Sequence, residues 1–381
     1  MATVVIPKSK VLKSILNFTP SWFSVTMGTG IMSILLHTSP HKFSGEAVIG
    51  TVLYFVNVFL FISFSLVTLI RYIIFPWAFM RMISHSSQSL FLGTIPMGLA
   101  TIVNATVIIV VPKYGHWAVN LCWTLWWIDV TLTVLSVFGI PLVMFKVHTL
   151  TLDNMTGAWL LPVVPAVVCA ASGGLVATVL AYEQARLTII ISYALWGIGM
   201  TLSLIVMTLY FHRLAIHKLP NAEVIVSAFL PLGPCGQGAY GIMQIAKAGR
   251  AVFNGKNLAE INNAGDIILV VSVIIGLMIW GLGVWWMVHG CMCVLLRALS
   301  SNLKLNMGFW GFIFPLGVFV AGTISLGENL PSSFLSYLSV VLLAVLTLLY
   351  AAVAIGTVRG AYNKTLLVAP CMLGLEECST T

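Results

Sequence analysis

The feature that most constrains this chain is where its charges are missing. Between successive Asp, Glu, Lys or Arg residues run long silent intervals: 14–41, 47–70, 82–112, 114–145 (broken only by Asp129), 154–182, 187–212, 224–246, 267–296, 305–327 and 329–358. A bilayer crossing takes about 20 mostly apolar residues as helix, so each interval has room for one crossing and none for two. The intervals are continuously apolar, whereas barrel strands alternate over roughly ten residues. The reading is therefore an all-α integral membrane protein with ten transmembrane helices. Composition agrees: 60% of the 381 residues are hydrophobic and 7% are charged, against roughly 25% charged in soluble domains. A soluble enzyme and a nucleic-acid binder are both excluded on this ground. The expected domains are a cytoplasmic tail over 1–18, the membrane domain over 19–360 and a second cytoplasmic tail over 361–381.

Lys and Arg set the orientation. With the N-terminus inside, twelve basic residues fall on inner segments, Lys8, Arg71, Arg213 and Arg297 among them, and six on outer ones, including Lys42, Lys113 and Lys256. Basic residues accumulate on the cytoplasmic side, so both termini are expected there. The start MATVVIPKSK lacks the apolar stretch and small-residue site of a removable signal. The seven cysteines, Cys371 and Cys378 on the tail included, form no CxxC pair, and neither a disulfide framework nor a structural metal is expected.

The odd-numbered segments share a pattern. Segments three, seven and nine carry Pro-x-Gly, at Pro96 with Gly98, Pro231 with Gly233 and Pro315 with Gly317; segment five has Pro162 and Pro165, and segment one has Pro20, Gly28 and Gly30. Five alternating matches suggest a helical hairpin repeated five times, and odd helices that all run from inside to outside make the copies parallel. A proline within a helix frees a carbonyl, which is tolerable only where protein or water satisfies it. The odd helices are therefore expected to face one another, kinked at Pro96, Pro162, Pro231 and Pro315, around a pore. No odd interval contains a charge, and the expected pore lining is Thr26, Thr29, Thr94, Thr101, Asn104, Ser172, Gln237 and Thr323. Hydroxyls and amides solvate an ion without trapping it, and the basic inner face concentrates anions. Together these favour a small inorganic or carboxylate anion as cargo.

Asp129, in CWTLWWIDVTL, is the one carboxylate well inside a span. It is read first as an interhelical hydrogen-bond anchor and second as a proton-coupling site. His289 has no second intramembrane histidine to complete a haem site. The segment 75–90 is expected to form a short cytoplasmic surface helix. No phosphate loop and no coherent catalytic or metal constellation emerges, so neither an enzyme nor a cofactor is expected.

The stretches GTIPMGLATIVN, TLWWID, LGPCGQGAYG and GFWGFIFPLG resemble the tellurite-resistance/dicarboxylate transporter family, related to the plant slow anion channel, and within it the fungal sulfite exporters. The resemblance spans roughly residues 18–360. It implies a multi-pass plasma-membrane exporter of sulfite or hydrogen sulfite, five hairpins around a central pore, and a homotrimer embedded in lipid. It also implies a phenylalanine of the ninth helix across the pore, here Phe314. Pro315 and an apolar ring that blocks ions by dewetting fit that role. A dicarboxylate transporter or a passive anion channel of the same fold are the near alternatives; a membrane-embedded enzyme or a receptor is remote.

Overall fold

The computed structural model describes residues 9–254 and 261–372. Lys8, Lys256, Cys378 and parts of both expected tails lie outside the described residues.

The protein is all-helical. A short α1 (Lys10–Leu16) precedes α2 (Phe23–Thr38) and α3 (Glu46–Ile74), and α4 (Pro76–Ser84) follows at once. Next come α5 (Thr94–Ala105) with its continuation α6 (Val111–Tyr114), then α7 (His116–Val134) with its continuation α8 (Ile140–Lys146). The remainder is α9 (Val164–Ala177), α10 (Tyr182–His217), α11 (Leu232–Phe253), α12 (Ala264–Ser300), α13 (Trp310–Asn329) and α14 (Ser333–Tyr362). Both continuations are joined by a π-helical turn, Thr106–Val110 and Leu135–Gly139, with a proline just beyond it. Pro112 and Pro141 cannot donate to the ladder and their rings press on the carbonyls four residues back, so the helix widens by one residue there.

Seven of these stretches are long and apolar enough to cross a bilayer: Glu46–Ile74, Ser89–Tyr114, His116–Lys146, Tyr182–His217, Ala264–Ser300, Met307–Asn329 and Ser333–Tyr362. They divide sharply by burial. Protein covers 78% and 83% of the apolar window in Ser89–Tyr114 and Met307–Asn329, but only 11% to 33% in the other five. The latter expose Val52, Phe59, Ile62, Met278, Leu299 and Leu348. Water would penalise such a surface and hydrocarbon does not, so the chain is a multi-pass membrane protein. The shorter α2 and α9, and the glycine-rich α11, are buried along most of their length.

The buried helices touch in a closed circuit: α2 meets α5, α5 meets α9, α9 meets α11, α11 meets α13, and α13 returns to α2. Each also packs on an outer helix that follows it, α3, α7, α10, α12 or α14. Small residues permit the inner circuit. A Cβ placed on Gly236 of α11 would stand 2.5 Å from the backbone N and Cα of Phe319 on α13, and one on Gly174 of α9 would stand 2.6 Å from the backbone N of Ile245 on α11. Lipid offers no hydrophobic drive between helices, so close backbone approach supplies the dispersion that holds them.

Two arginines near the ends of the outer helices α10 and α12 act as clamps. Arg213 donates to the carbonyls of Asp153 (2.9 Å from Nη2) and Lys218, and Arg297 donates to those of Leu219 (3.0 Å) and Pro220 (2.7 Å). Both guanidinium groups thus satisfy carbonyls of the connecting loops.

Candidate functional site: a one-sided vestibule over the inner helices

The first turns of the five inner helices surround a cavity of about 690 Å³. Ser24 of α2, Thr94 of α5, Val164 of α9, Pro234 of α11 and Trp310 and Phe314 of α13 all line it. Because each helix contributes its N-terminal end, all five begin on the same face. The loops leading into them gather there too, with His85, Thr156, Glu223, Lys304 and Asn306 on the cavity wall, and Thr365 to Pro370 runs beneath. Lys304 is the one Lys or Arg among the lining residues.

Met27, Met97 and Phe314 also line the cavity, and all three are almost wholly buried. Among the described residues Phe314 forms no aromatic pair, unlike its neighbours on the same helix. Phe312 meets Phe229 edge-on at 5.4 Å, and Phe319 stacks on Trp280 of the outer helix α12 at 5.6 Å and 9°. Pro315, which follows Phe314, stands inside α13. Its ring displaces the carbonyl of Gly311 from the helical ladder, and Gly311 lines the cavity, where water can reach that carbonyl.

Of the hydroxyls and amides read from the sequence as pore lining, Thr94 lies on this cavity. Its hydroxyl donates to Phe91 O at 2.6 Å and reaches Pro20 O at 3.1 Å. Several others turn outwards. Thr101 accepts from Asn57 of α3 (3.2 Å), Thr323 accepts from Trp280 of α12 (2.9 Å), and Thr29 accepts from Tyr350 of α14 (3.2 Å). Thr26 and Ser172 donate to carbonyls of their own helices, Phe23 O and Val168 O. Asn104 and Gln237 are buried, and the Asn104 carboxamide oxygen has no hydrogen-bond partner among the described residues. A membrane helix hides its hydroxyls by bonding them to a neighbour or its own backbone, so polarity marks contact lines as readily as an axis. The cavity-lining residues the sequence reading passed over are Met27 and Met97, one step around the helix from Thr26 and one turn before Thr101.

The prolines also differ from expectation. Of the four prolines expected to kink the inner helices, Pro315 alone lies within a helix interior. Pro231 is the residue before α11, Pro162 lies in the turn ahead of α9, and Pro96 sits in the first turn of α5. At a helix start the missing N–H is not needed and the fixed φ suits the first turn, so these prolines begin helices rather than bend them. Beyond the expected span end at 246, α11 continues and carries Lys247 and Arg250. They pair with Glu328 (2.8 Å) and Asp266 (2.6 Å), tying α11 to α13 and α12 at the face opposite the vestibule.

Asp129 is fully buried between α7 and α9, away from the cavity. The Cys169 thiol of α9 faces its carboxyl group, and Trp126, one turn earlier, donates to Cys169 O at 3.0 Å. No ion pair to Asp129 occurs among the described residues.

A membrane-embedded bundle whose inner helices open together on one vestibule defines a transporter or channel for small solutes. The voltage-dependent anion channel family matches residues 17–358, and the chain belongs to it. A sulfite efflux pump of Trichophyton rubrum is 42% identical over 355 residues, 93% of each chain, and one of Arthroderma otae is 42% identical over 321 residues, 84% of each. A malic acid transport protein of Schizosaccharomyces pombe is 26% identical over 337 residues, 86% of this chain and 74% of that one. The chain is thus a membrane anion transporter and not an enzyme.

Proposed function

We propose that this protein exports sulfite or hydrogen sulfite across the plasma membrane, along an axis that starts in the vestibule and passes Phe314. The observation that carries the reading is the shared start of five inner helices around a cavity lined by Phe314, which pairs with no aromatic ring among the described residues. The cargo follows the sulfite efflux pumps to which the chain is 42% identical across nearly its whole length. The proposed frame is ten membrane crossings, α2, α9 and α11 included, arranged as five parallel hairpins around the path. The parallel helix starts and the closed circuit of contacts support it. Residues 19–360 form the transport domain in this reading, flanked by short tails. Both termini are cytoplasmic, as the basic excess favours, so the vestibule collects anions from the cytoplasm. A homotrimer is proposed on the resemblance alone. The path beyond Phe314 draws on the buried amides of Asn104 and Gln237.

Malate transport is the second reading, favoured by the relationship to the malic acid transport protein. The inner helices offer no clamp for two carboxylates, because Lys247 and Arg250 are already paired at the far face. Sulfite-sensitive cells expressing the chain should regain sulfite tolerance and hold less sulfite than cells expressing an empty vector. Restored malate transport with unchanged sulfite content would favour the second reading.

Asp129 is proposed as a structural residue of the α7–α9 contact. Asp129→Asn keeps the shape of the side chain, and transport should persist with an unchanged pH profile, measured as flux with and without a proton gradient. Loss of gradient-driven accumulation with intact downhill flux would instead make Asp129 the coupling site.

A further inference from the structure

We propose that His85 and Gln88 form a binding step for a protonated oxyanion in the vestibule, the His85 Nε2–H donating to an anionic oxygen and the Gln88 side-chain oxygen accepting the proton of hydrogen sulfite. The assignment rests on the sulfite reading above and adds the form of the anion and the residues that select it.

Both residues lie on the short connection between α4 and α5, and both line the cavity. The His85 ring is fixed by its own backbone. Its Nδ1 accepts the amide N–H of Ser87 (3.2 Å) and of Gln88 (3.3 Å), while the His85 carbonyl accepts from Ser89 N (3.2 Å) and Ser89 Oγ (3.0 Å). An imidazole nitrogen that accepts two amides carries no proton, so the neutral ring holds its proton on Nε2. His85 therefore does the work of a capping residue with one nitrogen and leaves the other as a donor. Gln88 is 8% exposed, and its side-chain oxygen is buried without a partner. A buried acceptor left open in this way calls for a proton from a bound species. The backbone amide of Gln88, bonded to the His85 ring, fixes that ring against the main chain that carries Gln88.

A donor and an open acceptor three residues apart on one cavity-lining connection would distinguish the two forms of the cargo. Hydrogen sulfite offers both a charged oxygen and a proton; sulfite offers acceptor oxygens only. The titratable residues around the site are His148, on the loop after α8, and Glu223 and Lys304 on the cavity wall. His148 is itself held, its Nε2 donating to Ile83 O at 2.9 Å. Burial, and then the facing His148, hold His85 below the ordinary histidine range, which keeps the ring neutral in the cytoplasm. A neutral donor binds an anion weakly enough to release it into the path. The cap is intact above the ordinary histidine range and is lost as pH falls through the lowered value, because protonated Nδ1 cannot accept the two amides.

Two replacements separate cap from donor. Asn at 85 can accept the two amides as Nδ1 does but cannot reach the Nε2 position; Gln at 85 can place a donor near Nε2 but loses the cap. In vesicles of purified protein, sulfite flux is measured from the vestibule side against concentration at several pH values. His85→Asn should raise the half-saturating concentration about tenfold, as expected for one lost hydrogen bond to a charged group, with the maximal rate kept. His85→Gln should raise the half-saturating concentration less than His85→Asn does, while melting earlier. In the parent, half-saturation should follow the hydrogen sulfite fraction as pH changes, and in Gln88→Met that dependence should vanish. Parent-like half-saturation at every pH in both His85→Asn and Gln88→Met would overturn the assignment alone. No sulfite flux in the parent would remove the export reading and the assignment with it.

Discussion

Replacing Phe314 by alanine should raise anion flux several-fold, or leave the protein conducting without control. The ring lines the vestibule, is almost wholly buried, and stacks on no other aromatic side chain among the described residues. An apolar ring at a narrow point excludes ions because they would shed water there without a replacement ligand. Pro315 removes a helical hydrogen bond next to it, so the ring is carried on a segment of α13 that already departs from a regular ladder. Truncation enlarges an existing cavity rather than opening one in a packed core, and the thermal midpoint should fall little. Phe319→Ala is the contrast. It deletes a fully buried ring stacked on Trp280, a change that costs about 3–5 kcal/mol in tightly packed sites. That variant, and more mildly Phe312→Ala, should lose stability without gaining flux. Unchanged or lower flux in well-folded Phe314→Ala would remove this residue from the gate.

The largest effect on folding is expected from Gly236→Val. Its Cβ would lie 2.5 Å from the backbone N and Cα of Phe319, and backbone cannot swing aside as a side chain can. Overpacking by a few methylenes typically costs about 1–3 kcal/mol. Here the obstruction is main chain at the contact between α11 and α13, so the cost should lie at or above the top of that range. Detergent-solubilised Gly236→Val should therefore melt far earlier than the parent or fail to yield a monodisperse peak in size-exclusion chromatography. Gly197→Val, where an added Cβ meets nothing within 4 Å, should behave like the parent. Equal melting of Gly236→Val and the parent would mean that the close approach is not needed.

Much of this fold could be read from where charges are absent. Each silent interval contains one main helix, and the alternation of proline and glycine marked the helices that protein covers most completely. What stayed hidden has physical causes. Proline types do not say whether the residue bends a helix or begins one, and only the position of Pro315 relative to its own helix separates it from Pro162 and Pro231. The exposed turn of the path was equally illegible. One residue along a helix rotates a side chain by about 100°, so Thr26 faces a neighbouring helix while Met27 reaches the cavity. Hydroxyl groups drew attention to themselves, yet Thr101, Thr323 and Thr29 use theirs on outer helices. His85 and Gln88 fell within a stretch read as a surface helix. The helix is present as α4, but its end turns into the vestibule, and no periodicity reports such a turn.

Flux from reconstituted vesicles tests the central claim most directly. Purified protein in liposomes would be loaded in turn with sulfite, malate, chloride and nitrate, and efflux followed with and without a pH gradient. The account predicts sulfite efflux well above protein-free vesicles and above malate efflux, increased further by Phe314→Ala. Malate efflux at or above that of sulfite, with sulfite at the protein-free level, would contradict it.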